Sequence, residues 1–195
     1  MKNINVIVGS VGGQGALLLS RILANAALKA GINIRIGETH GMAQRGGVVE
    51  THIRLGSHAR GPLVPEGEGD VLIGMEPAEA LRFSKFMAPE GTVICNTRRI
   101  IPVPVSLGFA NYAENSEILP AIEKFCKNLH SFDATELAKQ AGNERATNVV
   151  LAGALAALDV LPFSADAIKQ EIITMLPKFK DVNLKAFELG YSQIK

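Results

Sequence analysis

The join between residues 4–9 and residues 14–30 constrains the fold more than any other stretch of this chain. Residues 4–9 (Ile-Asn-Val-Ile-Val-Gly) are short, β-branched and mostly apolar, as a strand buried on both faces of a parallel sheet must be. Residues 14–30 carry Leu17, Leu18, Ile22, Leu23, Ala26 and Ala27 at helical spacing, and Gly31 is a suitable terminator. Residues 32–36 then read as a second strand. A strand–helix–strand unit has one favoured hand, which sets the course of the chain over the sheet.

The same reading continues through the sequence. Residues 48–55 alternate, with Val49, Thr51, Ile53 and Leu55 on one side and Val48, Glu50, His52 and Arg54 on the other. One wetter face predicts a strand near the sheet edge or under a partner. Residues 56–69 form a polar, Gly/Pro-rich loop. Buried-type strands follow at 70–74 and 92–95, with Pro77 opening a helix that runs to about Phe86. Residues 100–105 are expected to be extended, because Pro102 and Pro104 keep them out of a ladder. Helices are expected at 117–129, 135–141 (capped by Thr135), 146–158, 165–176 and 184–193, with a short strand at 132–134. This order predicts an α/β, doubly wound, mostly parallel sheet with a helical C-terminal third. We expect one domain over 1–195, an α/β core to about 142 and a helical extension over about 143–195 packed on it.

Composition excludes several functions. Hydrophobic residues make up 47% of the 195 positions, enough for a real core. Net charge is +1 with lysine and arginine scattered, unlike the basic stripe of a nucleic-acid binder. Apolar runs break well short of a membrane span, and the N-terminus lacks a basic segment followed by a long apolar one. A cytoplasmic protein with neither nucleic acid nor membrane as partner is the expectation. Cys95 and Cys126 form no Cys-x-x-Cys and cannot hold zinc or an iron–sulfur cluster by themselves. His40, His52, His58 and His130 have no partner at ligand spacing, so no metal site is expected.

Two segments carry chemistry. Gly9-Ser10-Val11-Gly12-Gly13-Gln14-Gly15 joins the first strand to the first helix, where a turn presents N–H groups and a positive dipole end to an anion. Its spacing is neither Gly-x-Gly-x-x-Gly nor a Walker loop. Gly9, Gly12, Gly13, Gln14 and Gly15 therefore read as a phosphate loop or as a tight turn with close helix packing. Residues 38–47 (Glu-Thr-His-Gly-Met-Ala-Gln-Arg-Gly-Gly) pack an acid, an imidazole, an amide and a guanidinium among glycines. Glu38, His40, Gln44, Arg45, Gly46 and Gly47 are candidates for a loop read by a ligand or a partner, against a plain Gly-rich turn. Arg98 and Arg99 read as an anion site or a solvated pair. Asn143, Arg145 and Asn148 cap the apolar helix or face a neighbour.

Those two segments, with Asp70-Val71-Leu72-Ile73-Gly74-Met75-Glu76-Pro77, Asn96-Thr97, residues 143–148 and residues 183–191, resemble the small subunit of indolepyruvate:ferredoxin oxidoreductases. That subunit is of the gamma type of the 2-oxoacid:acceptor oxidoreductases. The resemblance covers nearly the whole chain and implies a Rossmann-like fold. It further implies an accessory subunit whose larger partner carries thiamine diphosphate and iron–sulfur clusters. The partner would decarboxylate a 2-oxo acid oxidatively, pass electrons to ferredoxin and release an acyl-CoA. On that footing the 38–47 loop faces the thiamine or CoA pocket, with Arg45 as a fixed charge and His40 and Gln44 as hydrogen-bonding groups. The glycine loop would hold a phosphate, such as one of CoA, or pack at the interface. The isolated chain would be inactive and able to pair with a second copy. The rival readings are a free-standing nucleotide-binding oxidoreductase or sensing module, and a purely stabilising subunit.

Overall fold

The computed structural model describes residues 3–40, 46–57 and 59–195. The elements run β1 (Ile4–Val11), α1 (Ala16–Lys29), β2 (Ile34–His40), β3 (Val48–Leu55), β4 (Gly69–Gly74), α2 (Pro77–Phe83), β5 (Met87–Asn96), α3 (Val103–Ser106), α4 (Asn115–Ile122), β6 (Asn128–Phe132), α5 (Ala134–Ala141), α6 (Thr147–Ala157), α7 (Ala165–Met175) and α8 (Lys180–Tyr191). The strands make one sheet in the order β2-β3-β1-β4-β5-β6. β4, β5 and β6 step outward from β1 in parallel, whereas β3 runs antiparallel to both β1 and β2. The fold is thus α/β with a mostly parallel sheet.

Alternation along each strand sends side chains to two cores. On one face Val6, Val8, Ile53, Val71, Ile73 and Ile94 meet the apolar sides of α1 and α5–α8. On the other, Ile7, Leu72, Val93 and Cys95 meet Ala80 and Phe83 of α2 and Ile118 and Ile122 of α4. Burial pushes the Cys95 thiol up to about 12, so it remains a neutral apolar filler.

β3 lies near the sheet edge, as expected: β2 takes the edge itself and β3 is the next strand in, between β2 and β1. The polar alternation that suggested a wet face has a different cause. His52 Nδ1 accepts from Val64 N at 3.1 Å, and its Nε2 meets Glu50 Oε1 at 2.5 Å. Arg54 donates to the carbonyls of Gly61 and Leu63 at 3.3 and 3.0 Å. The polar side of β3 is therefore a rack on which the loop before β4 hangs. Accepting at Nδ1 places the imidazole proton on Nε2, toward Glu50.

Other boundaries shift for local reasons. The expected helix at 117–129 stops at Ile122; Lys127 N donates to Gly91 O and the chain enters β6 beside β5. The strand expected at 132–134 accordingly lies earlier, at Asn128–Phe132. Asp133, not Thr135, caps α5 by accepting from Glu136 N at 2.8 Å. Within 100–105 the chain begins a helical turn at Val103, where Pro104 needs no N–H partner.

α6 is apolar on nearly every side and is buried accordingly. It crosses α8 through two glycines. A Cβ on Gly153 would stand 2.0 Å from Phe187 O, and one on Gly190 would stand 1.8 Å from Val150 O. Both obstacles are backbone, so the helices would have to separate. Gly190→Ala should lower the unfolding free energy by about 3 kcal/mol, read from the urea midpoint. Gly61→Ala, with nothing within 4 Å of its Cβ position, should stay within about 0.5 kcal/mol of the parent.

Candidate functional site

The parallel strands β1, β4 and β5 end together, and the residues that follow them are tied to one another. Met75 N donates to Gly9 O at 2.8 Å. Met75 O accepts from Gln14 Nε2 at 2.8 Å and from Asn96 Nδ2 at 3.0 Å. Gln14 Oε1 in turn accepts from Val11 N at 2.8 Å, closing the glycine turn on itself. Asn96 Oδ1 accepts from Ala134 N and Arg98 N at 2.9 and 3.3 Å. One carbonyl and two amides thus hold the turns after β1, β4 and β5 in register.

The glycines of the first turn do separate jobs. Gly9 lies within β1, where a Cβ would stand 2.5 Å from the Phe83 ring and 3.0 Å from Glu79 O. It admits α2 against the sheet and does not face the cavity beyond the turn. Gly13 (φ 102°) and Gly15 (φ 86°) occupy left-handed backbone that L side chains rarely adopt. Gly15 caps α1 without a side-chain bond; Leu18 N and Leu19 N both donate to Gly15 O at 3.1 Å, which leaves the N–H groups of Ala16 and Leu17 without a side-chain cap. Gly12 N donates to Gly47 O at 2.8 Å, and Gly46 N approaches Gly12 O at 3.5 Å. The two glycine-rich segments singled out in the sequence are therefore joined through their backbones.

The rest of the 38–47 segment is divided. Glu38 lies in β2 and accepts from Ser20 Oγ at 3.3 Å and Thr51 Oγ1 at 3.4 Å, so its carboxylate ties α1 and β3 together. The backbone of His40 pairs with Val49 at the end of β2. Gln44 and Arg45 lie outside the described residues.

A hollow of about 460 Å³ opens beside the glycine turn, bounded by Gly13, Gln14, Gly15, Arg98, Arg99, Glu144, Arg145, Thr147 and Asn148 among others. It collects the arginines after β5 and before α6 around the open end of α1. Arg99 also pairs with Glu114 at 2.7 Å, a contact that raises its already high pKa. A second hollow, about 700 Å³ and mostly apolar, lies between α2 and the 100–113 segment and reaches Val11, Gly46 and Val48.

Glu76 controls that segment and was not singled out by its own chemistry in the sequence. It is 1% exposed. Its carboxylate accepts from Ala78 N at 2.8 Å, Glu79 N at 3.2 Å and Ile100 N at 3.3 Å, and from the Tyr112 hydroxyl. Burial, then the Glu76 carboxylate, push the Tyr112 phenol well above its usual range, so it stays a donor. The available signal was an acid immediately before Pro77, the position of a helix N-cap.

A mostly parallel open sheet with a glycine turn and a cationic hollow at the carboxyl ends of its strands is the class of α/β domain that seats ligands at that edge. The chain belongs to the pyruvate ferredoxin/flavodoxin oxidoreductase family, whose sequence pattern matches residues 5–193. It is 48% identical to the indolepyruvate oxidoreductase subunit IorB of Archaeoglobus fulgidus, over 97% of this chain and 94% of that one. Among solved structures, the pyruvate oxidoreductase subunit PORC of Thermotoga maritima superimposes with a TM-score of 0.73 at 22% identity, covering 98% of this chain and 97% of that one. The 2-oxoglutarate:ferredoxin oxidoreductase of Magnetococcus marinus, solved with 2-oxoglutarate, coenzyme A and succinyl-CoA bound, gives 0.74 at 19% identity. That match takes in all of this chain and 31% of the Magnetococcus chain.

Glu76→Ala would strand four donors around the 100–113 segment, and should cost about 3 kcal/mol or more. Tyr112→Phe removes one of them and should cost about 1–2 kcal/mol. Urea unfolding gives the energies. Hydrogen exchange should show the extra opening confined to residues 97–113 in Tyr112→Phe.

Proposed function

We propose that this chain is the small subunit of a 2-oxoacid:ferredoxin oxidoreductase acting on an aryl pyruvate such as indolepyruvate. The near full-length identity to an indolepyruvate oxidoreductase subunit carries this reading. The larger partner holds thiamine diphosphate and the iron–sulfur clusters, and ferredoxin takes the electrons. Among the described residues no three His, Cys, Asp or Glu side chains converge where a metal could sit, so the donor set for a cluster is assigned to that partner. Thiamine diphosphate supplies the electron sink that lets a 2-oxo acid lose its carboxylate as CO2. No helix among the described residues is long and apolar enough to cross a membrane, and we place the complex in the cytoplasm.

This chain's part is binding and positioning. Arg98, Arg99, Arg145 and the uncapped first turn of α1 suit the phosphates of CoA, whose thiol leaves as the thioester. The 38–47 loop, tied to the glycine turn through Gly12 and Gly47, reaches the partner's pocket. There Arg45 holds a carboxylate or phosphate while His40 and Gln44 orient it. Exposed Ile101, Val103, Leu107 and Phe109, the last 82% exposed, support a docking face on the 100–113 segment. Without the larger subunit, that face pairs two copies of the chain.

The test is reconstitution. With indolepyruvate, thiamine diphosphate, CoA and a viologen acceptor, the full chain alone should show no turnover, and its complex with the larger subunit should be active. Turnover by the isolated chain would overturn the proposal. Arg45→Ala in the complex should lower kcat/KM by about tenfold or more with assembly intact. Unchanged assembly and turnover would remove Arg45 from the site.

A further inference from the structure

A buried histidine fastens the loop before β4. His52 is 1% exposed, and its ring meets that of Phe86 edge to face, with 4.9 Å between centroids. Its Nδ1 accepts from Val64 N at 3.1 Å, while Nε2 directs its proton to Glu50 Oε1 at 2.5 Å. Val64 is itself buried and packs into the second core with Ile7, Leu72 and Phe83. The chain is anchored on either side of it. Arg54 donates to the carbonyls of Gly61 and Leu63, and Gly67 N donates to Lys85 O at 3.3 Å.

The bond to Val64 exists only with a neutral ring. An imidazolium has N–H at both nitrogens, so a proton at Nδ1 would set donor against donor. The bond would be lost, and Val64 N would need another acceptor or water. The bond to Glu50 would survive the same event, because Nε2 is a donor in both forms. The charged groups around the ring are few. Glu50 and Arg54 lie on its own strand; Lys85 feels the Glu50 charge and pairs with Glu66 of the loop at 2.7 Å. Beyond Arg54, Asn5 N donates to Asp70. β1 and β2 set Ile7 and Gly37 opposite His52, and neither has a charge.

We propose that His52 is a proton-sensitive latch: protonation at Nδ1 releases Val64 and opens residues 61–66 while the sheet stays folded. The latched form has one proton fewer than the open form. The latch is therefore closed at the alkaline end of the range over which histidine changes charge, about pH 5 to 8, and opens as pH falls. Arg54 keeps its charge throughout, so Gly61 and Leu63 stay tethered and Val64 swings out of the second core beneath α2.

Nuclear magnetic resonance of the full chain from pH 8 to pH 5 tests this. Ring nitrogen shifts should show Nδ1 bare at the alkaline end and protonated at the acid end. In the same step the Val64 amide should lose about tenfold in protection, beyond the ordinary pH dependence of exchange, the equivalent of roughly one hydrogen bond. Ile73, inside β4, should keep its protection. His52→Gln retains an acceptor and a donor but does not titrate, so its Val64 amide should stay protected throughout. His58→Gln and Glu66→Gln remove other titrating groups of the loop and should leave the transition in place; its disappearance in either overturns the proposal. So does a Val64 amide that stays protected once Nδ1 is protonated, or a ring that takes no proton before the sheet unfolds. These last two readings need only the parent chain, and they decide the matter should His52→Gln fail to fold.

Discussion

The carbonyl of Met75 is the contact on which the site depends. It stands just past the end of β4, where the sheet hands over to its loops. By accepting from Gln14 and Asn96 together, it joins the turns that leave β1, β4 and β5. Those amides are bifunctional: each gives its N–H to Met75, while the Gln14 oxygen accepts from Val11 N and the Asn96 oxygen accepts from Arg98 N and Ala134 N. Polar groups at a strand end must be satisfied by something, and here they satisfy one another. The loops inherit the rigidity of the sheet, and the cavity beside them is held open as a consequence. Glu76, the next residue, extends the arrangement outward by binding Ile100 and Tyr112 near the two ends of the apolar segment.

The electrostatics of the hollow are local. A net charge of +1 gives the whole molecule little field. The cationic character comes from bringing Arg98 and Arg99, which follow β5, beside Arg145, which precedes α6. Glu114 occupies part of Arg99, and Glu144 tempers the rim. A site of this kind binds by geometry as much as by attraction, because at physiological ionic strength a charge is felt over only about 8 Å.

The outline of the fold was legible because it follows from periodicity. β1, the glycine turn, α1 and the apolar α6 announce themselves by burial on known repeats, and the family resemblance rested on contiguous residues. What covers the polar side of β3 was not legible. Alternating polarity reports that one face meets polar groups, but water and the carbonyls of Gly61 and Leu63 leave the same mark on a sequence. The candidate site was legible in part. The glycine segments were found, and the bonds between Gly12 and Gly47 join positions that pattern alone cannot relate. Glu38 looked chemical because it opens the polar, Gly-rich 38–47 segment, yet hydroxyls from Ser20 and Thr51 give it a structural setting. The bond from Asn148 to Gly15 O joins residues 133 positions apart in sequence, which no local window contains.

The departure from Gly-x-Gly-x-x-Gly spacing has a physical reading in this structure. In that fingerprint the glycines allow a tight turn, the approach of a phosphate and close packing of helix on strand. Here close packing falls to Gly9 beneath α2, ahead of the turn, and the position that would hold the last glycine of a run from Gly13 is Leu18, which borders the hollow. Gly15 gives up its Cβ to a side chain, Asn148, which arrives from α6. The first turn of α1 is thereby roofed by the helical C-terminal third, with Arg145, Thr147 and Asn148 supplying one wall of the hollow. The approach of α6 is in turn set by its glycine crossing with α8, where Gly153 and Gly190 bring the two backbones together. The C-terminal helices are therefore part of the site's geometry: widening the α6–α8 crossing would move Asn148 away from Gly15 and open the hollow far from any residue that borders it.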